Sequence, residues 1–218
     1  MTIDRKPLTE MSLAELWQLF PIILREHDPR YATWYEEERV ALSEALKGFP
    51  VSRVSHIGST AVKGLTAKPI IDILLELAGD CDIGARDIQT CDIQTCDIEA
   101  CDIEAVAAVL TANGWLVMAR DDATRTLDLN KGYTPQGFAE KVYHLHIKPA
   151  GDWGELYFRD YLRSHDEVAG EYERLKRRLR EQYEHDRDAY TAAKTDFVRQ
   201  YTQAAREEFG RRYTGIIP

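Results

Sequence analysis

The spacing of hydrophobic residues is helical near both ends of the chain and strand-like in the middle. Residues 12–20 (SLAELWQLF) are predicted to form a short helix, with Ser12 as its N-cap and Glu15 closing a capping box. Residues 29–47 have the spacing of a longer helix, which we expect to end at Gly48. Two helices therefore precede the strand-like region.

The middle of the chain alternates apolar and polar residues over short runs, which is the pattern of β-strands. The predicted strands are 51–57, 69–77 and 115–119, followed by a hairpin of 124–130 and 141–147 around 132–137. The helical period returns from about 153 to 212, and breaks near 165–166 and 185–188 divide it into about three helices. Helices, a small mixed sheet and helices again predict an α+β fold.

A tandem repeat of five residues interrupts this pattern at 81–105, where the sequence is CDIGA-RDIQT-CDIQT-CDIEA-CDIEA. The unit resembles that of pentapeptide-repeat proteins, but such β-helices need several stacked coils, and five units make little more than one. We therefore favour a tandem expansion that lengthens a loop or the start of the following helix, IEAVAAVLTANG. All four cysteines lie in the repeat, with a spacing that matches neither C-x2-C zinc sites nor a secreted disulfide framework: Cys81, Cys91, Cys96 and Cys101.

Composition narrows the class of protein. A chain of 218 residues with 44% hydrophobic residues can bury roughly 70% of its unfolded surface in one core. No run of 18 apolar residues predicts a membrane span, and the first residues lack the apolar region of a signal peptide, so we expect a cytoplasmic protein. The net charge of −9 argues against a general nucleic-acid binder.

The segment 56–73, HIGSTAVKGLTAKPIIDI, carries the strongest chemical pattern. Gly58 and Ser59 close one predicted strand, and Asp72 lies near the start of the next. Glycine lets the backbone approach a phosphate, and a small hydroxyl beside it can donate a hydrogen bond. The arrangement predicts a nucleotide phosphate beside an acid. Lys68, between the two, either neutralises phosphate charge or is a solvated loop lysine.

Strand alternation predicts a second group of polar residues. The apolar residues of 69–77 and 141–147 should share one face in the core, which places Asp72, Glu76, His144 and His146 on the open side of the sheet. An H-x-H pair beside a carboxylate is a reasonable site for a divalent metal such as Mg²⁺, Mn²⁺ or Zn²⁺, although imidazole disfavours magnesium. The alternative is two exposed histidines on a half-solvated face.

Several motifs together resemble one family. They are HDPRYATWYEEER, HIGSTAVKGLTAKPIIDI, HLHI, FRDYLRSHDEVAGEYERLK and AYTAAKTDFV, and they extend over most of the chain. These motifs resemble the GrpB family, a predicted branch of the nucleotidyltransferase superfamily. The resemblance implies a nucleotidyltransferase-like domain at 1–150, with the repeat as an insertion, and a helical region at 151–218 packed on it. Related domains fused to dephospho-coenzyme A kinase imply an association with coenzyme A metabolism.

The C-terminal region supplies further candidates. Lys194 matches a family position and either closes over the open sheet face or is an exposed helical lysine. Arg159 and Arg163, four residues apart on one helical face, suit a dianion or the acids Asp160 and Glu155. The run ERLKRRLREQYEHDR alternates in sign, which is typical of a solvated helix surface.

Two positions depart from the pattern that the resemblance implies. The superfamily places two acids as D-x-D on this strand to hold two metals, but here the second position is Leu74. Lys63 stands where the family usually has proline before the turn glycine. If the chain only binds its ligand, restoring an acid with Leu74→Asp is a way to raise its affinity for nucleotide.

Two hypotheses of different classes follow. The first is a protein that binds a nucleotide and a divalent metal and transfers a nucleotidyl group to an unknown acceptor. The alternative, which Leu74 favours, is a non-catalytic accessory module that binds a nucleotide or a metal. A metal-dependent hydrolase is a third, weaker hypothesis. The first hypothesis assigns Gly58, Ser59, Lys68 and Arg159 to phosphate, Asp72, His144 and His146 to metal, and Asp72, Lys68 and Lys194 to catalysis.

Overall fold

The computed structural model describes residues 6–78 and 103–214. The strands in these ranges are β1 (Val51–Ile57), β2 (Ile71–Leu77), β3 (Leu116–Asp121), β4 (Thr126–Thr134) and β5 (Gly137–Pro149). The helices are α1 (Leu13–Leu19), α2 (Arg30–Ala45), α3 (Ile103–Ala112), α4 (Gly154–Ser164), α5 (Asp166–Gln182), α6 (Arg187–Ala192) and α7 (Thr195–Phe209). Short 3-10 turns lie at Leu8–Glu10 and Ser59–Ala61.

The five strands form one mixed sheet in the order β1-β2-β5-β4-β3. The pair β2 and β5, inside the sheet, is parallel, while the other neighbours are antiparallel. The parallel register places Asp72 opposite His144 and Leu74 opposite His146. The predicted α+β class, a small mixed sheet with flanking helices, is confirmed.

One face of the sheet carries the main hydrophobic core. Alternate residues of β2 and β5 pack there against Trp34 and Leu42 of α2 and Val106 and Leu110 of α3. The strand residues in this core are Ile71, Ile73, Leu75, Leu77, Tyr143, Leu145 and Ile147. The predicted shared apolar face is confirmed, because successive strand side chains alternate between the two faces of a sheet.

At Leu74 and Glu76 the opposite face is covered rather than open, which contradicts the sequence-based expectation, whereas His146 remains partly exposed. Leu74 is fully buried against Ile57 and against Leu156 of α4. Glu76 is also buried, and its carboxylate pairs with Arg53 of β1. Alternation assigns residues to a face, but it does not reveal which helices pack on that face. An aspartate at position 74 would therefore be buried beneath α4.

Element boundaries follow the local signals closely. The predicted capping box of α1 is present, since the Glu15 amide donates to Ser12 Oγ at 3.3 Å. The hairpin strands are longer than predicted, because β4 and β5 continue through the region around Gly132. The helical region contains four helices rather than about three, since a further break falls between α6 and α7.

Part of the repeat lies outside the described residues. All four cysteines fall in 79–102, so the prediction of a tandem expansion remains a prediction. The helix predicted to follow the repeat is present as α3, and Gly114, with φ of 85°, follows its end. The predicted division into 1–150 and 151–218 falls between β5 and α4 and also remains a prediction. Within the described ranges, no helix is long and apolar enough to cross a membrane.

Candidate functional site

The loop after β1 passes very close to Asp72 of β2. Ile57, the last residue of β1, is paired with Asp72, and Gly58 follows with a φ of 69°. A Cβ on Gly58 would lie 2.3 Å from Asp72 Oδ2. Glycine is therefore required at this position for two reasons. It adopts a positive φ without strain, and it leaves room for the carboxylate of Asp72.

Two arginines of α4 hold the carbonyl groups around this loop. Arg159 donates to the His56 carbonyl at 3.0 Å, and Arg163 donates to the Ala61 carbonyl at 2.8 Å. Arg159 also pairs with Asp160 at 2.7 Å, so protein groups surround its guanidinium. In this geometry Arg159 positions the loop, and its predicted role as a phosphate ligand remains a prediction.

A chain of hydrogen bonds extends from Asp72 across the sheet. His144 Nδ1 lies 3.0 Å from Asp72 Oδ1, and His144 Nε2 lies 2.7 Å from the Tyr133 hydroxyl. Arg187 of α6 reaches the same Nε2 at 3.1 Å. With Arg187 donating to Nε2, the consistent assignment is a neutral imidazole whose Nδ1–H donates to the Asp72 carboxylate.

The protonation states agree with this assignment. Burial opposes the ionisation of Asp72, but the hydrogen bond from His144 and the charge of Lys68 outweigh it and lower the pKa of Asp72 to about 2. Burial also lowers the pKa of His144, and this effect exceeds the opposing effect of Asp72. At neutral pH the pair is therefore a carboxylate beside a neutral imidazole.

The described residues do not form the metal site predicted for Asp72, His144 and His146. His146 Nδ1 contacts Asp128 at 2.7 Å, and the two histidine ring centroids are 6.5 Å apart. Both ring nitrogens of His144 already have protein partners. Across residues 6–78 and 103–214, no three His, Cys, Asp or Glu side chains are grouped so that they could hold an ion. The divalent metal therefore remains a prediction.

Three lysines from different elements lie close to one another, beside Ser59 and Tyr190. Lys176 of α5 is 2% exposed, and its ammonium donates to Ser59 Oγ at 3.1 Å. Lys194, which precedes α7, has its Nζ 4.4 Å from the centroid of the Tyr190 ring. Lys68 approaches the same ring, with its Nζ 5.6 Å from the centroid. We call Lys68, Lys176 and Lys194 the lysine cluster.

Burial makes the lysine cluster electrostatically unusual. Loss of hydration is the main cause that lowers the pKa of Lys68 and Lys176 to about 7 and that of Lys194 to about 8. Repulsion from Arg187 adds to the effect on Lys68 and Lys194, while Asp72 partly offsets it. Near neutral pH these lysines are therefore close to their pKa values, and a bound anion would favour their charged forms.

Tyr190 adds an unsatisfied polar atom to this region. The residue is completely buried, and its hydroxyl has no hydrogen-bond partner among the described residues. A buried hydroxyl without a partner costs about 1–3 kcal/mol, so such groups usually have a ligand or water to bind. The ring contacts with Lys68 and Lys194 place Tyr190 within the lysine cluster.

The structure therefore brings most of the predicted site residues together. Gly58, Ser59, Lys68, Asp72, Lys194 and His144 share one region, whereas His146 turns to Asp128 and Arg159 lies behind the loop. Sequence reasoning missed Lys176, because it lies in a run assigned to solvated surface. The missed signal is its position between Tyr172 and Leu179, the other buried residues of α5. Tyr133 and Arg187 carried no signal of their own.

Comparison with known proteins places the chain in a family. The GrpB protein family model matches residues 21–204. The chain is 32% identical to the glutamate-rich protein GrpB of Alkalihalophilus pseudofirmus, over 81% of this chain and 91% of that protein. It is also 33% identical to a UPF0157 protein of Pseudomonas aeruginosa over 78% of this chain, and the match spans only 62% of that relative's length.

The fold is also similar to those of solved structures. The crystal structure of conserved protein GrpB from Enterococcus faecalis has a TM-score of 0.66 at 27% identity, covering 86% of this chain and 99% of that one. A structure of the GLD-2/RNP-8 complex has a TM-score of 0.50 at 11% identity, covering 88% of this chain and 70% of that one. The second likeness concerns the fold alone, which is nucleotidyltransferase-like. The chain belongs to the GrpB family.

Proposed function

We propose that this member of the GrpB family binds the polyphosphate of a nucleotide, or of a similar phosphorylated small molecule, at the lysine cluster. The observation that carries the proposal is the proximity of three lysines to one another. Lys176 contacts Ser59, and Lys68 and Lys194 both approach the ring of Tyr190. The three lysines come from a loop, from the middle of α5 and from the start of α7, so only the tertiary fold brings them together.

Holding these three lysines together in their charged form is electrostatically unfavourable. A partly buried ammonium loses hydration, and a nearby anion restores more of the lost stabilisation than the neutral acceptors and rings present here. Asp72 is an anion that acts on Lys68 and Lys194, but it already accepts a hydrogen bond from His144. A phosphate group carries several acceptor oxygens and more than one charge, so it matches a cluster of cations better than a carboxylate does.

If the chain is an enzyme, the reaction we propose is nucleotidyl transfer. The oxygen of an acceptor hydroxyl attacks the α-phosphorus, the bond to the bridging oxygen breaks, and pyrophosphate leaves with the bonding electrons. The hydroxyl proton passes to the Asp72–His144 pair, and the lysine cluster stabilises the charge of the departing pyrophosphate. Asp72, Lys68 and Lys194 keep the catalytic roles that the sequence predicted for them.

A non-catalytic binding module is the second candidate, and one observation favours it. The position of the second acid is Leu74, which is fully buried beneath α4 and faces no ligand. Two-metal chemistry therefore lacks a protein ligand at that position. A module of this kind would keep the lysine cluster and bind the same phosphorylated molecule without turning it over.

The binding proposal is tested by calorimetric titration of the purified chain. The ligands are the four common ribonucleoside triphosphates, dephospho-coenzyme A and coenzyme A, each with and without Mg²⁺ or Mn²⁺. Lys68→Met should weaken the binding of a polyphosphate by about 10- to 100-fold, as expected for a charge-assisted hydrogen bond. Lys47→Met, at an exposed lysine on α2's C-terminal side, is the matched control and should bind like the wild type. Equal affinities of the two variants would contradict the proposal.

Release of pyrophosphate separates the two candidate functions. Asp72→Asn should abolish release in the enzyme hypothesis and leave polyphosphate binding measurable. A wild type that binds a nucleotide but releases no pyrophosphate with any metal and acceptor tested would support the binding module. Equal release from wild type and Asp72→Asn would refute the catalytic assignment of Asp72.

A further inference from the structure

A cavity lies beside the Asp72–His144 pair, on the side of α1. Its volume is about 590 Å³, which is within the usual range of small-molecule sites. The walls from α1 and β3 are apolar and include Leu13, Trp17, Val117 and Met118. The polar lining residues come mainly from β4, β5 and α6. We call this space the α1 cavity.

The apolar side of the α1 cavity is unusually exposed for a soluble protein. Met118 is 58% exposed and Leu13 is 55% exposed, and these are among the most exposed large apolar side chains of the described residues. The capped helix α1 is amphipathic, yet none of its residues is buried. Contiguous exposed apolar groups of this kind usually mark a binding site, since exposing them to water is unfavourable.

The other side of the α1 cavity is continuous with the candidate site. His144 lines the cavity and contacts Asp72 through Nδ1 at 3.0 Å. Tyr133 and Arg187, the two partners of His144 Nε2, also line it. A molecule in the α1 cavity with a polar group at this end would therefore lie next to the Asp72–His144 pair.

The charges around the α1 cavity disfavour a second phosphate ligand, although His146, which also lines it, pairs with Asp128. Asp128 and Asp188 line it, and Arg187, a cation in the lining, is already bonded to His144 and Tyr133. The lysine cluster does not contribute to its described lining. An anionic group would meet two carboxylates, whereas a neutral hydroxyl can accept from and donate to the groups present.

We propose that the α1 cavity binds a neutral small molecule with an aromatic or alicyclic body and a hydroxyl group. The body packs on α1 and β3, and the hydroxyl faces His144. If the proposed function holds, this molecule is the acceptor of the nucleotidyl group. Its role as acceptor rests on the proposed function, but its binding in the α1 cavity does not. The polyphosphate and the acceptor then reach the Asp72–His144 pair from two different sides.

Two probes with the same ring test the proposal on the full chain. They are 2-naphthylmethanol, a neutral alcohol, and 2-naphthoate, a carboxylate, and binding is followed by equilibrium dialysis. The wild type should bind the alcohol about tenfold more tightly than the carboxylate, because the carboxylate is repelled by the acids that line the cavity. Equal affinities, or no binding of the alcohol, would overturn the proposal.

Two matched variants locate the binding. Met118→Glu places a charge on the wall of the cavity and should weaken binding of the alcohol about tenfold or more. Val40→Glu is the control, because Val40 is equally exposed, at 58%, but lies on α2 and outside the cavity lining. An equal effect of both variants would overturn the proposal. If Met118→Glu instead converted a dimer into a monomer in light scattering, the apolar wall would be a self-association surface, which also overturns it.

Titration with a polyphosphate shows whether the α1 cavity proposal or the proposed function has failed. Met118→Glu should bind a nucleoside triphosphate like the wild type, since no residue of the lysine cluster lines the cavity that contains Met118. Binding of the alcohol without binding of any polyphosphate would support the α1 cavity and contradict the proposed function. Binding of polyphosphate without binding of the alcohol would support the proposed function and contradict the α1 cavity proposal.

Discussion

Helices pack on both faces of the sheet at β2, but the two faces are built differently. The face toward α2 and α3 is filled by aliphatic and aromatic residues of β2 and β5. The face toward the C-terminal helices contains Glu76, at 1% exposure, and His144, at 8%. The first face contributes stability through apolar burial. The second contains buried polar groups that need partners, and the lysine cluster beside it has Asp72 as an anion that acts on two of its three lysines.

This difference shows where function is concentrated in the molecule. An apolar face tolerates changes that preserve volume, because its contacts are not directional. The polar face depends on single contacts, such as that between Gly58 and Asp72, which has no spare room. The following predictions test that contrast, from the largest expected effect on stability to the smallest.

The largest effect is expected when an acid replaces Leu74, an apolar residue on the face toward the C-terminal helices. Leu74→Asp should lower the free energy of unfolding by about 3–5 kcal/mol, because an uncompensated carboxylate would be buried against Ile57 and Leu156. Leu74→Met, of similar volume, should cost less than about 1.5 kcal/mol. Urea unfolding of the two variants is the measurement. A stable Leu74→Asp with raised nucleotide affinity would restore the interpretation of this position as a missing metal ligand.

A smaller effect is expected where the loop contacts Asp72. Gly58→Ala introduces a methyl group 2.3 Å from Asp72 Oδ2 at a φ of 69°, and should cost about 2–3 kcal/mol. Gly64→Ala is the matched control, since its φ is 81° but no atom lies within 4 Å of the added Cβ. The control should lose only the backbone contribution, about 1 kcal/mol. The two variants are compared by urea unfolding, and equal losses would show that the close approach to Asp72 is not important.

Per pH unit, the smallest effect is expected from the titration of Lys176. The pKa of Lys176 falls from 10.5 to about 7 on folding, mainly through burial, so the unfolded chain binds more protons between these values. Stability should therefore rise with pH across this window, by at most about 1.4 kcal/mol per pH unit for this lysine. Lys176→Met should flatten the rise and Lys47→Met should not, as measured by urea unfolding from about pH 7 to pH 9. A rise of equal slope in both variants would contradict the assignment.

Sequence reasoning predicted the fold well because its signals are local. The capping box of Ser12 and Glu15 is a contact between near neighbours, and so is the end of α3 beside Gly114. Strand alternation correctly assigned Ile73 and Leu145 to the core. The fourth C-terminal helix was not predicted, since the break near Lys194 contains neither glycine nor proline.

The candidate site was predicted only in part. Gly58, Ser59 and Asp72 lie within 15 residues of one another, and the antiparallel pairing of β1 and β2 follows from that short connection. Lys176 lies 117 residues from Ser59, and nothing in its own helix shows which loop it contacts. The partners of the two histidines also depend on rotamers and on α6, so their relation to a metal could not be derived from the H-x-H spacing.

By itself, the sequence determined the order of the elements, the class of the fold, the apolar face of the sheet and the Gly58–Asp72 segment. The tertiary structure decided that α4 covers Leu74, that three lysines from different elements lie together beside Ser59 and Tyr190, and that an apolar cavity adjoins His144. The physical reason is the range of the forces involved. Backbone periodicity and capping act over a few residues, whereas burial and charge depend on every element packed around a group, whatever its distance along the chain.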